Sequence, residues 1–256
     1  MPPKEAPRLS LRTGRKRTEE RAPRRSSKPV GHPTASRVVR VCTILEATYG
    51  SPRHGNPTDP FDDLIYILLS NRTAPNVSKH VYDQLMARFP SREALREATE
   101  AELGAVLAPA GLANKRTAKI RGIIARLDAD FGTLSLEPIR SWQEDRAEAY
   151  LTSLPGVSLK VAKCVLLYGM NRQVLPVDVH VHRVARRLGW ISHKRADQSH
   201  ETLEKLVPPD LRYGFHVNAL AHGRAVCRPV LPRCGECTVR SLCDYYRAGG
   251  PALKET

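Results

Sequence analysis

The segment Leu154-Pro155-Gly156-Val157-Ser158-Leu159-Lys160-Val161-Ala162-Lys163-Cys164-Val165-Leu166-Leu167-Tyr168 decides the fold. Pro followed by Gly makes a tight turn, and the apolar residues after Ser158 recur at helical spacing. Upstream, Ser141 with Glu144 reads as a capping box opening a helix that runs to Ser153. Two helices so closely joined form a hairpin. The second, Ser158 to Tyr168, opens with unpaired backbone N–H groups, a site suited to a DNA phosphate. Leu154, Gly156 and Ser158 are the candidate contacts there. An ordinary helix–helix connection accounts for the same five residues, and both readings stay open.

Two polar residues stand out around this hairpin. Lys160 lies in the first turn of its helix, where the dipole opposes a cation and so favours the neutral, nucleophilic amine. A plain surface contact is the alternative. Asp178, after Pro176 and before an apolar-periodic helix, has the position of an N-cap. It also suits a carboxylate facing the hairpin lysine, and a helix N-terminus keeps such a group ionised. His180 and His182 are groove-lining or packing residues; at i and i+2 they do not share a helix face as a metal pair would.

Outward from here the sequence stays helical. Ser36 is the expected cap of a helix through Val38, Val41, Cys42 and Leu45 that stops at Gly50. Asp59-Pro60 opens an apolar helix from Phe61 to Leu69. Val77, Val81 and Leu85 mark the next, stopped by Pro90; Ser91 and Thr99 start two short ones, Thr99 with Glu102 as a capping box. Residues 113–130 are amphipathic. No stretch alternates over strand length and no repeat of 20–50 residues exists, so an all-α fold is expected.

Cys227, Cys234, Cys237 and Cys243 form a C-x6-C-x2-C-x5-C pattern. Disulfides are disfavoured where nothing indicates export. Zinc usually takes two short knuckles, and only one C-x2-C is present. Four thiolates can also hold a [4Fe–4S] cluster, whose negative charge Arg224, Arg228, Arg233 and Arg240 would offset. Spacing alone leaves iron and zinc open. Cys42 and Cys164 lie on apolar helix faces and read as buried small residues.

The chain has 256 residues with 41 Lys+Arg against 26 Asp+Glu, a formal charge of +15. Residues 1–35 hold +7 of it together with six prolines, and read as a disordered basic arm; residues 247–256 read as a short tail. The rest stays basic without the arm, which fits a polyanionic partner. No apolar run reaches the length of a membrane span and no apolar leader opens the chain, so a cytoplasmic protein is expected. The preference for Arg over Lys, 30 to 11, fits a GC-rich bacterial genome.

Hairpin with lysine, aspartate 18 residues later and the four-cysteine pattern, in that order, resemble the endonuclease III family of helix-hairpin-helix DNA glycosylases over about residues 36–246. The resemblance implies a [4Fe–4S] cluster on Cys227, Cys234, Cys237 and Cys243. It makes Lys160 the catalytic lysine, Asp178 the catalytic aspartate and His180 the histidine that follows. It implies a six-helix barrel over 60–172, an iron–sulfur domain from 36–59 plus 173–246, and a DNA cleft between them. The implied activity is excision of damaged pyrimidines from duplex DNA followed by AP lyase cleavage, by a monomer.

Two departures bear on substrate range. The family hairpin reads Leu-Pro-Gly-Val-Gly, and here its second glycine is Ser158. The family's Ser-x-Gln segment reads Ser70-Asn71-Arg72, so Arg72 replaces the glutamine that fills the gap left by the extruded base; Leu112 matches the second intercalating position. An altered lesion or mismatch preference, or mainly lyase activity, is the neighbouring reading. A non-catalytic iron–sulfur protein that binds DNA or senses redox state is the reading from another class, and it would need neither Lys160 nor Asp178.

Overall fold

The computed structural model describes residues 33–250, and within them every regular element is helical. The expected arm and tail lie largely outside the described residues. Twelve α-helices are joined by short loops and 3-10 turns: α1 Ala35–Tyr49, α2 Pro60–Ser70, α3 Pro75–Arg88, α4 Arg92–Glu97, α5 Glu100–Leu107, α6 Ala113–Phe131, α7 Glu144–Ser153, α8 Leu159–Tyr168, α9 Val179–Arg187, α10 His200–Leu206, α11 Arg212–Ala225 and α12 Asp244–Arg247.

Local chemistry explains most boundaries. Asp59 caps α2 by accepting from the Phe61 and Asp62 N–H groups, with Pro60 at the first helical position. The Thr99–Glu102 capping box forms in full, and Ser91 caps α4. Gly50 ends α1 in the left-handed conformation, φ 72°. Two expected caps are corrected. Thr34 rather than Ser36 caps α1, its side chain accepting from the Arg37 N–H, so the helix starts at Ala35. Ser141 caps nothing: α7 begins after Gln143 without a side-chain cap, because Ser141 belongs to the turn that follows a short 3-10 segment.

Buried side chains fall into two clusters. The first runs from Phe61 to Val174 and is built on α2, which packs against α3 and α8. The second joins Val38, Val41, Cys42 and Leu45 of α1 to residues from Leu175 to Val239, around a stacked Trp190–Phe215 pair 5.0 Å apart. Each fully buried Leu, Ile or Phe contributes about 1.5–3 kcal/mol. The chain thus starts in one cluster, builds the other, and returns. Arg37 of α1 fixes that return by donating to the Leu188 and Leu242 carbonyls and pairing with Asp244 at 2.6 Å. Lys163 of α8 joins the clusters, bound to Glu148 of α7 at 2.6 Å and Glu204 of α10 at 2.8 Å. Among the described residues no helix is long and apolar enough to cross a membrane.

Candidate active site

A cleft of about 750 Å³ opens between elements of the two clusters. Its wall combines the start of α8 (Ser158, Leu159, Lys160), the start of α9 (Asp178, Val179, His180), the end of α2 with Arg72, and Arg224 of α11. Lys160 and Asp178 therefore face one space from two helix N-termini. The Leu154 carbonyl accepts from the Val157 N–H at 3.1 Å, closing the turn, with Gly156 at φ 75° where a side chain would be strained. Ser158 sits at φ −85°, which any residue adopts, and its hydroxyl accepts from the Val161 N–H at 3.4 Å. Replacing the family glycine thus keeps the turn and adds a cap. The Leu159 and Lys160 N–H groups have no protein partner among the described residues. Leu154, by contrast, is 2% exposed: its side chain packs in the first cluster and offers no surface contact.

Asp178 caps α9 through Oδ1 alone, which accepts from the His180 and Val181 N–H groups at 2.8 Å each. Oδ2 takes no hydrogen bond among the described residues. His180 is half-buried, its Nδ1 within 3.1 Å of Arg183, and burial lowers its pKa.

Behind the pair lies a group of polar and aromatic side chains, of which Asp63 and His216 are buried, that no local sequence motif marks. His54 stacks on Tyr168 at 4.4 Å, and Tyr168 meets His216 edge-on at 5.8 Å. Asp63 of α2 is fully buried, with Oδ1 accepting from Asn56 at 2.6 Å. Burial raises the Asp63 carboxyl to about 7, lowers His216 to about 4 and pushes the Cys164 thiol up to about 11 against the pull of Lys160 one turn away. Each of these groups is driven toward its neutral form. An acid one position from the apolar Leu64 was the signal available for Asp63.

A second groove of about 490 Å³ continues from Ser158 and Gly156 past Lys119, Lys115 and Leu112 to Arg72. The two candidate intercalating residues share an unusual backbone: Arg72 has φ 58° and Leu112 φ 54°. Both side chains are exposed, Leu112 by 58%. Arg116 is buried between their loops.

The description "HhH-GPD superfamily base excision DNA repair protein" matches residues 65–209, more than half of the chain. The chain belongs to the HhH-GPD superfamily. Endonuclease III of Thermotoga maritima is 31% identical over 199 residues, covering 78% of this chain and 89% of the relative. The DNA glycosylase/AP lyase ROS1 of Arabidopsis thaliana is 29% identical over 172 residues, 60% of this chain but 12% of that longer protein. Among solved structures, a non-covalent Endonuclease III–DNA complex superposes with a TM-score of 0.72 at 22% identity, over 84% of this chain and 98% of that one, a likeness of fold. The superfamily match holds the hairpin, Lys160, Asp178, Arg72, Leu112 and Arg116, and ends before the cysteines.

The cysteines therefore rest on their own geometry. Cys227, Cys234, Cys237 and Cys243 line one pocket with Val184, Leu188, Val226, Val239 and Tyr245. Arg187 donates to Cys227 Sγ at 3.3 Å and to the Arg228 and Pro229 carbonyls, holding the loop. His222 Nε2 lies 3.5 Å from Cys237 Sγ, and burial lowers this histidine to about 4. Among the described residues no three His, Cys, Asp or Glu side chains converge as a single ion requires. A tetrahedral Zn²⁺ at about 2.3 Å from each sulfur needs thiolates about 3.8 Å apart. A cluster binds one thiolate per iron corner and takes a wider cage.

Proposed function

We propose that this chain is a DNA glycosylase with AP lyase activity that removes oxidised pyrimidines from duplex DNA. The observation that carries this is the convergence of Lys160 and Asp178, from two helix starts, on one cleft beside a hairpin with free N–H groups at Leu159 and Lys160. Support for a barrel domain over 60–172 and a second domain from 36–59 plus 173–246 comes from the two buried clusters, although the first range holds seven α-helices, α2 to α8, where six are expected.

The chemistry follows from these groups. The damaged base rotates into the cleft, because sugar C1′ is inaccessible inside the stack. Asp178 Oδ2 supports the positive charge developing on the sugar and takes a proton from Lys160. The neutral amine bonds to C1′ as the C1′–N bond breaks, and the base leaves with that electron pair and a proton. Ring opening yields a Schiff base; loss of the C2′ proton then expels the 3′ phosphate. The free N–H groups of Leu159 and Lys160, with the turn at Gly156, hold a backbone phosphate in register. Leu154 contributes by anchoring that turn.

Cys227, Cys234, Cys237 and Cys243 would hold a [4Fe–4S] cluster, which supplies a cross-link for the C-terminal loop and an iron centre capable of redox change. Arg187 then offsets charge at Cys227. Iron analysis of purified protein should return about four irons per chain, and Cys234→Ser should lose them.

Borohydride trapping on a duplex with an abasic site tests the activity. Wild type should form a covalent adduct, and Lys160→Gln none. Equal trapping by Lys160→Gln would eliminate the nucleophile. A wild-type chain that binds DNA but traps nothing would return the reading to a non-catalytic binding protein.

A further inference from the structure

Arg116 lies in the first turn of α6 and is 7% exposed. Its guanidinium is spent on two loops and one helix end. Nη1 donates to the Leu68 carbonyl at 2.5 Å and the Leu69 carbonyl at 2.9 Å, in the last turn of α2. Nη2 donates to the Asn71 carbonyl at 2.9 Å and to Thr73 Oγ1 at 2.7 Å, on either side of Arg72. Nε donates to the Gly111 carbonyl at 2.9 Å, the residue before Leu112, and Nη2 reaches Ala110 at 3.4 Å. Among the described residues no carboxylate bonds it. The carbonyls that a helix end leaves unpaired supply the negative potential instead.

The consequence lies in the backbone. Arg72 and Leu112 both hold left-handed conformations that side chains other than glycine rarely take, and both project outward. Such conformations persist only where neighbours over-determine them. Here one guanidinium binds the residues on both sides of Arg72 and the two before Leu112, and Thr73 Oγ1 adds a weak link to the Ala110 carbonyl at 3.4 Å.

We infer that Arg116 is a positioning residue for base extrusion, locking the Arg72 and Leu112 loops so that both side chains enter the duplex as one wedge. The inference rests on the glycosylase reading of the cleft. It predicts that Arg116 matters when a stacked base must be displaced, and much less when the base is already gone.

The test compares Arg116→Met and Arg116→Lys with wild type, each also in an Arg72→Ala/Leu112→Ala background. Single-turnover base release is measured on a thymine-glycol duplex, and strand cleavage on an abasic duplex. Arg116→Met should slow base release at least ~10-fold while changing abasic cleavage less than ~3-fold. Arg116→Lys should fail to rescue, because a point ammonium cannot span both loops as the planar fork does. Without the two wedge side chains, Arg116→Met should cost less than a further ~3-fold. An equal loss in both backgrounds, or an equal loss on both duplexes, would overturn the positioning role. Should the Met variant not fold, Thr73→Val removes one loop anchor and should show the same selective loss, at ~3-fold or more; an unselective loss overturns the role equally. Failure of the glycosylase reading is separately visible, as a wild-type chain that neither releases base nor cleaves the abasic strand.

Discussion

Asp63→Asn should remove a pH dependence of stability that the wild-type chain carries. Asp63 is wholly buried on α2, one oxygen bound by Asn56 at 2.6 Å and the other against the Gly169 backbone without a well-formed hydrogen bond. Burial raises its carboxyl from 3.8 to about 7, opposed by the Asn56 hydrogen bond, the Gly169 backbone and the charge of Lys160. A carboxyl raised on folding binds its proton more tightly in the folded chain. Its stabilisation is therefore full below the unfolded value and is lost as pH rises through about 7. A rise of this size is worth about 4 kcal/mol in full, of which about 2 kcal/mol is lost between pH 5.5 and 8. Asparagine keeps the carbonyl that accepts from Asn56 but cannot ionise. Urea unfolding of both proteins at pH 5.5 and 8 gives the measurement. Wild-type stability minus that of Asp63→Asn should fall by about 2 kcal/mol across the range. A difference constant to about 0.5 kcal/mol, or one that grows with pH, refutes the reasoning.

Three further perturbations separate scaffold from chemistry. Asp178→Asn retains an oxygen for the His180 and Val181 N–H groups, so unfolding free energy should stay within about 0.5 kcal/mol of wild type while the trapping rate falls at least ~100-fold. Lys163→Met strands Glu148 and Glu204 at a mostly buried site and should cost about 3–5 kcal/mol in urea unfolding; a loss under about 1 kcal/mol would mean the triad carries little. Gly156→Ala places a Cβ 2.5 Å from Lys119 Cδ and Cε at φ 75°, and should lower stability by about 1–2 kcal/mol and weaken anisotropy-measured binding to an abasic-analogue duplex.

Much of this site was legible before folding because its signals are local. A Pro-Gly turn, the Asp59 and Asp178 caps and the cysteine spacing act over a few residues, and the structure bears out the two caps and the turn. Ser36 and Ser141 show the limit: several hydroxyls near a boundary compete, and tertiary packing selects one or none. The turn sequence offers Leu154 as a DNA contact beside Gly156 and Ser158, but side-chain direction in a turn depends on the core beneath it, and Leu154 is buried. Asp63 and Arg116 escaped notice because their roles exist only across space. Asp63 meets Asn56 from a preceding loop, and Arg116 reaches three carbonyls and a hydroxyl 43 to 48 residues away.

The all-helical chain, the turn at Gly156, the cap at Asp178 and the candidate nucleophile Lys160 follow from neighbouring residues, since helix periodicity, capping and turn chemistry are short-range. Packing decides that Lys160 and Asp178 share one cleft, that burial pushes Asp63, Cys164 and His216 toward their neutral forms behind them, and that one arginine joins two loops 40 residues apart in the chain. Desolvation and convergence are properties of the packed state: they depend on which surfaces leave water together, and no local stretch of sequence encodes that.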